Sequence, residues 1–186
     1  MDTSLPIIQQ TALEILIVID TVSIKSKYSD LDIDIAKPIK IKRDNWFVVC
    51  QKQNGDSGIN SLHAVSVDPK CTNKMIISGI SIDGNSSDAI ILNQIPNYKS
   101  LKKSIVHFKP VCLSIKTVSN NENSEDGLPA TNTNQNVIWF ESIVSHPGKC
   151  KIKIYFSLYY LNSDGNQQDL YGRFWFPLEI NINNGD

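Results

Sequence analysis

Arginine is nearly missing from this chain: only Arg43 and Arg173 stand among its 18 basic residues. Arginine is the side chain suited to bidentate phosphate recognition, so its scarcity argues against a nucleic-acid binder. Net charge is missing too, since 18 basic residues face 19 acidic ones and leave −1 at pH 7. Such a chain has no electrostatic footprint for DNA, RNA or anionic lipid, and no nucleic-acid or membrane partner is expected. A net charge this close to zero favours self-association.

Other absences narrow the class further. The start, MDTSLPIIQQ, has no basic region, and Glu14 and Asp20 interrupt the apolar run after it. It reads as neither signal peptide nor membrane span, so the expected compartment is the cytoplasm. Cys50, Cys71, Cys112 and Cys150 make no CxxC pair and are expected to be reduced there. No Walker lysine motif, dinucleotide glycine pattern or carboxylate pair on a defined scaffold is present. No catalytic residue is assigned, and the expectation is a protein that is not an enzyme.

What the sequence does have is alternation. Lys149–Ile182 consists of two alternating runs around the polar, turn-prone Asn162–Asp169, a hairpin signal. Ile152, Ile154, Phe156, Leu158 and Tyr160 share one face of the first arm; Leu170, Gly172, Phe174, Phe176, Leu178, Ile180 and Ile182 share one face of the second. Pairing these faces sets Ile152 opposite Leu178, Ile154 opposite Phe176 and Phe156 opposite Phe174. It also sets Lys151 opposite Glu179, Ser157 opposite Arg173, Tyr155 opposite Trp175 and Tyr159 opposite Tyr171. A slip of one residue would turn the apolar set to the wrong side, so the register is well specified. Pro177 cannot donate to a ladder, which predicts a sheet edge or a bulge there.

The rest of the chain reads as strands as well. Leu13–Val22 is apolar on both faces through Ile19, as in a central strand, and Ser23–Tyr28 can form one helical turn. Further strands are predicted at Asn45–Gln51, Leu62–Val67, Lys74–Ile82, Ala89–Ile95 and Val137–Val144. Ser104–Phe108 and Val111–Lys116 read as one strand bent or bulged at Pro110. Thr117–Asn136, rich in Asn, Ser and Thr, is predicted to be a mobile loop. The expected fold is all-β: an antiparallel two-sheet β-sandwich of about nine or ten strands, one domain over residues 1–186. A chain this long buries roughly 70% of the surface it exposes when unfolded.

Four constellations bear on chemistry. Gly55-Asp56-Ser57-Gly58 matches the sequence around a serine-protease nucleophile, but no His precedes Ser57 and a hairpin turn is needed there. His107 with Cys112, His146 with Cys150 and His63 with Cys71 are spaced poorly for zinc, and no metal site is assigned. Asp83-Gly84-Asn85-Ser86-Ser87-Asp88 and Asp164–Asp169 share the pattern DGNxxD. Asp83, Asn85 and Asp88 are candidate ligand-binding residues, with Ca²⁺ the one cofactor such oxygens suit; plain turn chemistry is the alternative. Finally Tyr155, Tyr159, Tyr171 and Trp175, with Arg173, line the ribbon face opposite its apolar set. Exposed, that row can stack a sugar or join copies; covered, it is internal packing.

Three blocks together resemble the AidA/PixA family of bacterial inclusion-body proteins. They are Ile15–Ser29 (ILIVIDTVSIKSKYS), the middle block from Ser61 to Ile95, and the block from Asn136 to Ile180 with its W-x-E-S and G-x-F-W-F-P patterns. The family's ending commonly carries Asp before the proline, where this chain has Phe176. The resemblance implies a non-enzymatic bacterial protein, made in quantity under growth-phase or signal control and collected in cytoplasmic inclusions of host-associated bacteria. Its partner would be itself; a glycan is the alternative partner, held as by a lectin with or without Ca²⁺.

Overall fold

The computed structural model describes residues 12–29, 37–50, 64–68, 73–96 and 104–184. Side-chain alternation decides where each strand sits. In β1 (Leu13–Ile19) Leu13, Ile15, Ile17 and Ile19 are buried, while Leu16 and Val18 on the other face are half-buried. The strand stops because Asp20 caps a helix, α1 (Thr21–Lys27), its carboxylate accepting the Ser23 N–H at 2.9 Å. The helix therefore begins at Thr21, slightly earlier than the sequence suggested.

The chain continues through β2 (Ile39–Lys40), a 3₁₀ turn at Arg43–Asn45, β3 (Trp46–Cys50), β4 (Ala64–Val67), β5 (Lys74–Ser81) and β6 (Asp88–Gln94). It ends with β7 (Lys109–Ser119), β8 (Thr131–Ile143), β9 (Gly148–Leu161) and β10 (Gln168–Ile182). One sheet has the order β3-β1-β5-β8-β7; the other runs β2-β10-β9-β6, with β4 also beside β10. This is the expected all-β sandwich, but its sheets are mixed rather than wholly antiparallel. The β1–β5, β10–β2 and β10–β4 pairs are parallel. Between β1 and β5 the chain visits the other sheet as β2 and β4, and a strand returning from such a crossover lies parallel to the one it left.

The β9–β10 register is the one the alternation specifies from Lys151–Glu179 through Ser157–Arg173. It departs beyond that point: Tyr159 faces Leu170, and a bulge lies between Leu170 and Gly172. Tyr171 occupies the bulge, so it does not pair with Tyr159. Its hydroxyl instead donates to the carbonyls of Lys25 (3.2 Å) and Tyr28 (3.0 Å), which anchors α1 to the sheet. Pro177 lies neither on a free edge nor in a bulge. β2 pairs with Phe174 and Trp175, β4 with Glu179 to Ile182, and Pro177 falls in the gap between them. The Trp175 carbonyl accepts from Ile41 N–H on that side, so two residues on the missing donor faces an opening.

The facing surfaces of the two sheets form the core. Trp46 stacks on Phe176 (4.4 Å between ring centres) and Phe156 on Phe174 (5.6 Å), all four buried. Cys50 is buried, Cys150 half-buried and Cys112 exposed.

The mobile loop expected at Thr117–Asn136 is instead most of a β-hairpin. β7 runs on to Ser119 and β8 begins at Thr131, paired residue for residue from Lys109–Glu141 to Ser119–Thr131. Composition misled here because a ladder is made by the backbone, and Thr and Val suit extended chain whatever their polarity. The turn between them is closed by Asn121 N–H to the Gly127 carbonyl (2.9 Å). Pro110 sits inside β7 opposite Phe140 rather than marking a bend; β7 is the last strand of its sheet, where a missing donor is tolerated. Asn54–Gly58, Leu62, His63 and Cys71 lie outside the described residues.

Candidate functional site

The Asp83–Asp88 turn brings its three candidates together and then occupies their oxygens. Asp83 accepts from the N–H groups of Ser87 (3.1 Å) and Asp88 (2.9 Å) and from the hydroxyls of Ser81, Ser86 and Ser87. Burial pushes its pKa up, but these donors outweigh it and hold the carboxyl down at about 2. Asn85, at φ 61°, accepts from the N–H groups of Ser81 (2.9 Å) and Ile90 (3.1 Å). Asp88 is buried and pairs with Lys25 at 2.6 Å. Each carboxylate thus answers a donor of its own chain, which is what a turn-closing motif does. Among the described residues no three His, Cys, Asp or Glu side chains converge as a metal site.

The aromatic row divides in the same way. Trp175 is half-buried on the outer face of β10, stacked on Tyr155 (6.2 Å), with the Lys153 ammonium 4.5 Å and the Lys40 ammonium 5.6 Å from its ring centre. Tyr159 is half-buried opposite Leu170 and Ala89. Arg173 is exposed beyond Trp175. Tyr171 has left the row for the end of the sandwich, where Tyr160 meets it edge-on at 6.1 Å.

Two features were not singled out from the sequence. Beside Pro177 the gap in the β10 pairing opens into a cleft of about 390 Å³ lined by Lys40, Lys42, Arg43, Lys151, Trp46 and Glu179. Glu179 is paired with Lys151 at 3.3 Å. Among the described residues neither Lys42 nor Arg43 forms a close salt bridge, although the charge of Lys42 helps to lower the pKa of neighbouring Asp44, which is itself bonded to Lys27. The signal in the sequence is the alternating basic run Lys40-Ile41-Lys42-Arg43.

The second feature is the arm made by β7 and β8. Phe140, Glu141, Ser142 and Ile143 of β8 pair with β5; among the described residues, 131–139 pair with β7 alone. One side of the arm carries Val111, Leu113 and Ile115 opposite Trp139, Val137 and Gln135; the other is Asn-rich. Leu113 remains 48% and Ile115 40% exposed. At the root, Glu141 accepts from the Trp139 indole N–H (2.9 Å) and pairs with Lys74 (3.1 Å), which together lower its pKa.

Comparison with known proteins fits this geometry. The family model described as PixA, inclusion body protein, matches residues 11–182. The chain belongs to the PixA family. A PixA-family inclusion body protein from Burkholderia cenocepacia J2315, known from a crystal structure, has the same fold: TM-score 0.71 at 23% identity, covering 93% of this chain and 96% of that one. A search of curated proteins finds no match. Phe176, where the PixA pattern commonly has Asp, is here a fully buried core residue stacked on Trp46, so no acidic group stands at that point. Among the described residues no helix is long and apolar enough to cross a membrane.

Proposed function

We propose that this PixA-family chain is a non-catalytic bacterial protein that accumulates in the cytoplasm by associating with copies of itself, in a growth-phase or host-related setting. The observation that carries the reading is the β7–β8 arm, on whose apolar side Leu113 and Ile115 remain 48% and 40% exposed. A two-stranded ribbon alone is marginal in water, and a neighbour that covered it would stabilise it. Burying the exposed halves of Leu113 and Ile115 contributes on the order of 1 kcal/mol each. The near-zero net charge removes the repulsion that keeps many proteins apart.

The test replaces residues 114–136 by Asn-Gly, which closes a two-residue hairpin turn, and compares sedimentation of the two proteins. The shortened chain is expected to lose the large species and keep its melting temperature. Unchanged assembly without the arm would refute the reading.

A lectin-like module is the second reading, favoured by the Tyr155–Trp175 stack on an outward sheet face. A sugar would have to displace the Lys153 ammonium from that ring. A glycan array read with and without chelator decides it, with Ca²⁺ the cofactor at issue. A blank array on folded protein would remove this reading.

A further inference from the structure

The chain is nearly neutral as a whole, but its charges are separated in space. The end of the arm, residues 120–130, contains Glu122, Glu125 and Asp126 and no basic residue. Asp126 is used within the turn, accepting from the Ser124 hydroxyl (2.5 Å) and the Leu128 N–H (3.0 Å). Glu122 and Glu125 are exposed on the finished turn. Residues 131–139 carry this tip roughly 30 Å beyond the β5 pairing, at about 3.4 Å per residue. The cleft beside Pro177 has the opposite character, with Lys42 and Arg43 exposed at its rim and its single carboxylate, Glu179, already paired. Its size, about 390 Å³, suits the end of a turn rather than a whole sheet.

Resting on the self-association proposed above, we infer that the acidic tip of one copy docks in the basic cleft of the next. Arg43 and Lys42 supply the donors that Glu122 and Glu125 lack among the described residues, and an arginine–carboxylate pair can be bidentate. The contact joins two different surfaces, so it is heterologous. A docked pair keeps one free tip, on one copy, and one free cleft, on the other, and an arrangement of that kind grows as an open chain unless its rotation closes a ring. Open growth is what an accumulating protein needs. Charge-driven docking also makes assembly weaken as salt rises.

Two neutralised proteins test this by sedimentation velocity at low salt. One carries Glu122→Gln with Glu125→Gln, the other Lys42→Gln with Arg43→Gln; circular dichroism and melting verify that both fold. Each alone is expected to associate at least tenfold more weakly than the parent. An equimolar mixture is expected to form one-to-one pairs and nothing larger, because the only intact contact joins a native tip to a native cleft. Either variant assembling like the parent would overturn the inference, and so would a mixture that behaves as two separate proteins. If removal of the arm abolishes assembly while both neutralised proteins assemble normally, this inference fails and arm-mediated association stands. If the arm-less chain still assembles, the underlying reading fails as well.

Discussion

The molecule contains two long β-ribbons with opposite fates. In β9–β10 one face is closed against the other sheet, with Ile152, Ile154, Phe156, Leu158, Phe174, Phe176, Leu178 and Ile180 all 0% exposed. In β7–β8 the ladder is just as regular, yet most side chains beyond Phe140 are exposed. Backbone pairing is therefore common to both and cannot account for the difference. What separates them is how many large apolar side chains one face offers: an unbroken row in β9–β10, only a short one in β7–β8. The first ribbon holds the fold together, and the second is available for something outside it.

The largest expected effect tests that division directly. Phe174→Ala removes a ring packed on Phe156 and should cost about 3–5 kcal/mol. Leu113→Ala on the arm should stay within about 0.5 kcal/mol for the dilute monomer. Denaturant unfolding of both variants decides it; similar losses would mean that the arm is part of the cooperative core after all.

The same contrast explains what the sequence disclosed. Where an apolar face is unbroken, as from Ile152 to Leu158 against Phe174 to Ile180, period and register were legible to the residue, because any slip exposes the whole row. The register failed at Tyr171, where the competing demand is not local: its hydroxyl reaches carbonyls of Lys25 and Tyr28, far off in the chain. The arm failed for the complementary reason. Thr131 to Asn136 offers no apolar face to place, so composition spoke for a loop while backbone bonding made a strand. Of the candidate site, the Asp83–Asp88 turn was legible as a turn, since DGNxxD supplies turn residues at turn spacing. The basic cleft was not, because Lys151 comes from one ribbon and Lys42 and Arg43 from a segment more than a hundred residues earlier. The parallel β10–β2 and β10–β4 pairings that frame it depend on crossovers that no local pattern encodes.

An intermediate effect is expected where the buried ribbon turns its outer face to solvent. Trp175 is half-buried, stacked on Tyr155 and flanked by Lys40 and Lys153. Trp175→Ala should cost about 1–2 kcal/mol, between the full loss for a buried ring and the small loss for a surface residue. A thermal melt measures it. A cost matching that of Phe174→Ala would place the ring in the core and remove this face from consideration as a binding surface.

The smallest effect compares the turns rather than the ribbons. Asp83 in the β5–β6 turn is held at about 2, burial being outweighed by donors from Asp88, Ser81, Ser87 and Ser86. Asp126 in the arm's turn is lowered less, first by the Ser124 hydroxyl and then by the Leu128 N–H. Both carboxyls sit lower in the folded than in the unfolded chain. Each therefore contributes stability above the unfolded value near 3.8 and loses it as pH falls through the folded one. The Asp83 contribution should disappear between about pH 4 and 2; on an exposed turn solvent screening keeps it below about 1 kcal/mol. On acidification the arm's turn should release its carboxylate first and the β5–β6 turn last. Carboxyl resonances followed by NMR through that range give the order, with Asp83→Asn flattening the acid limb of the stability curve. Asp83 titrating before Asp126 would contradict the bonding seen around it, and would reopen the turn as a place where an outside ligand is bound.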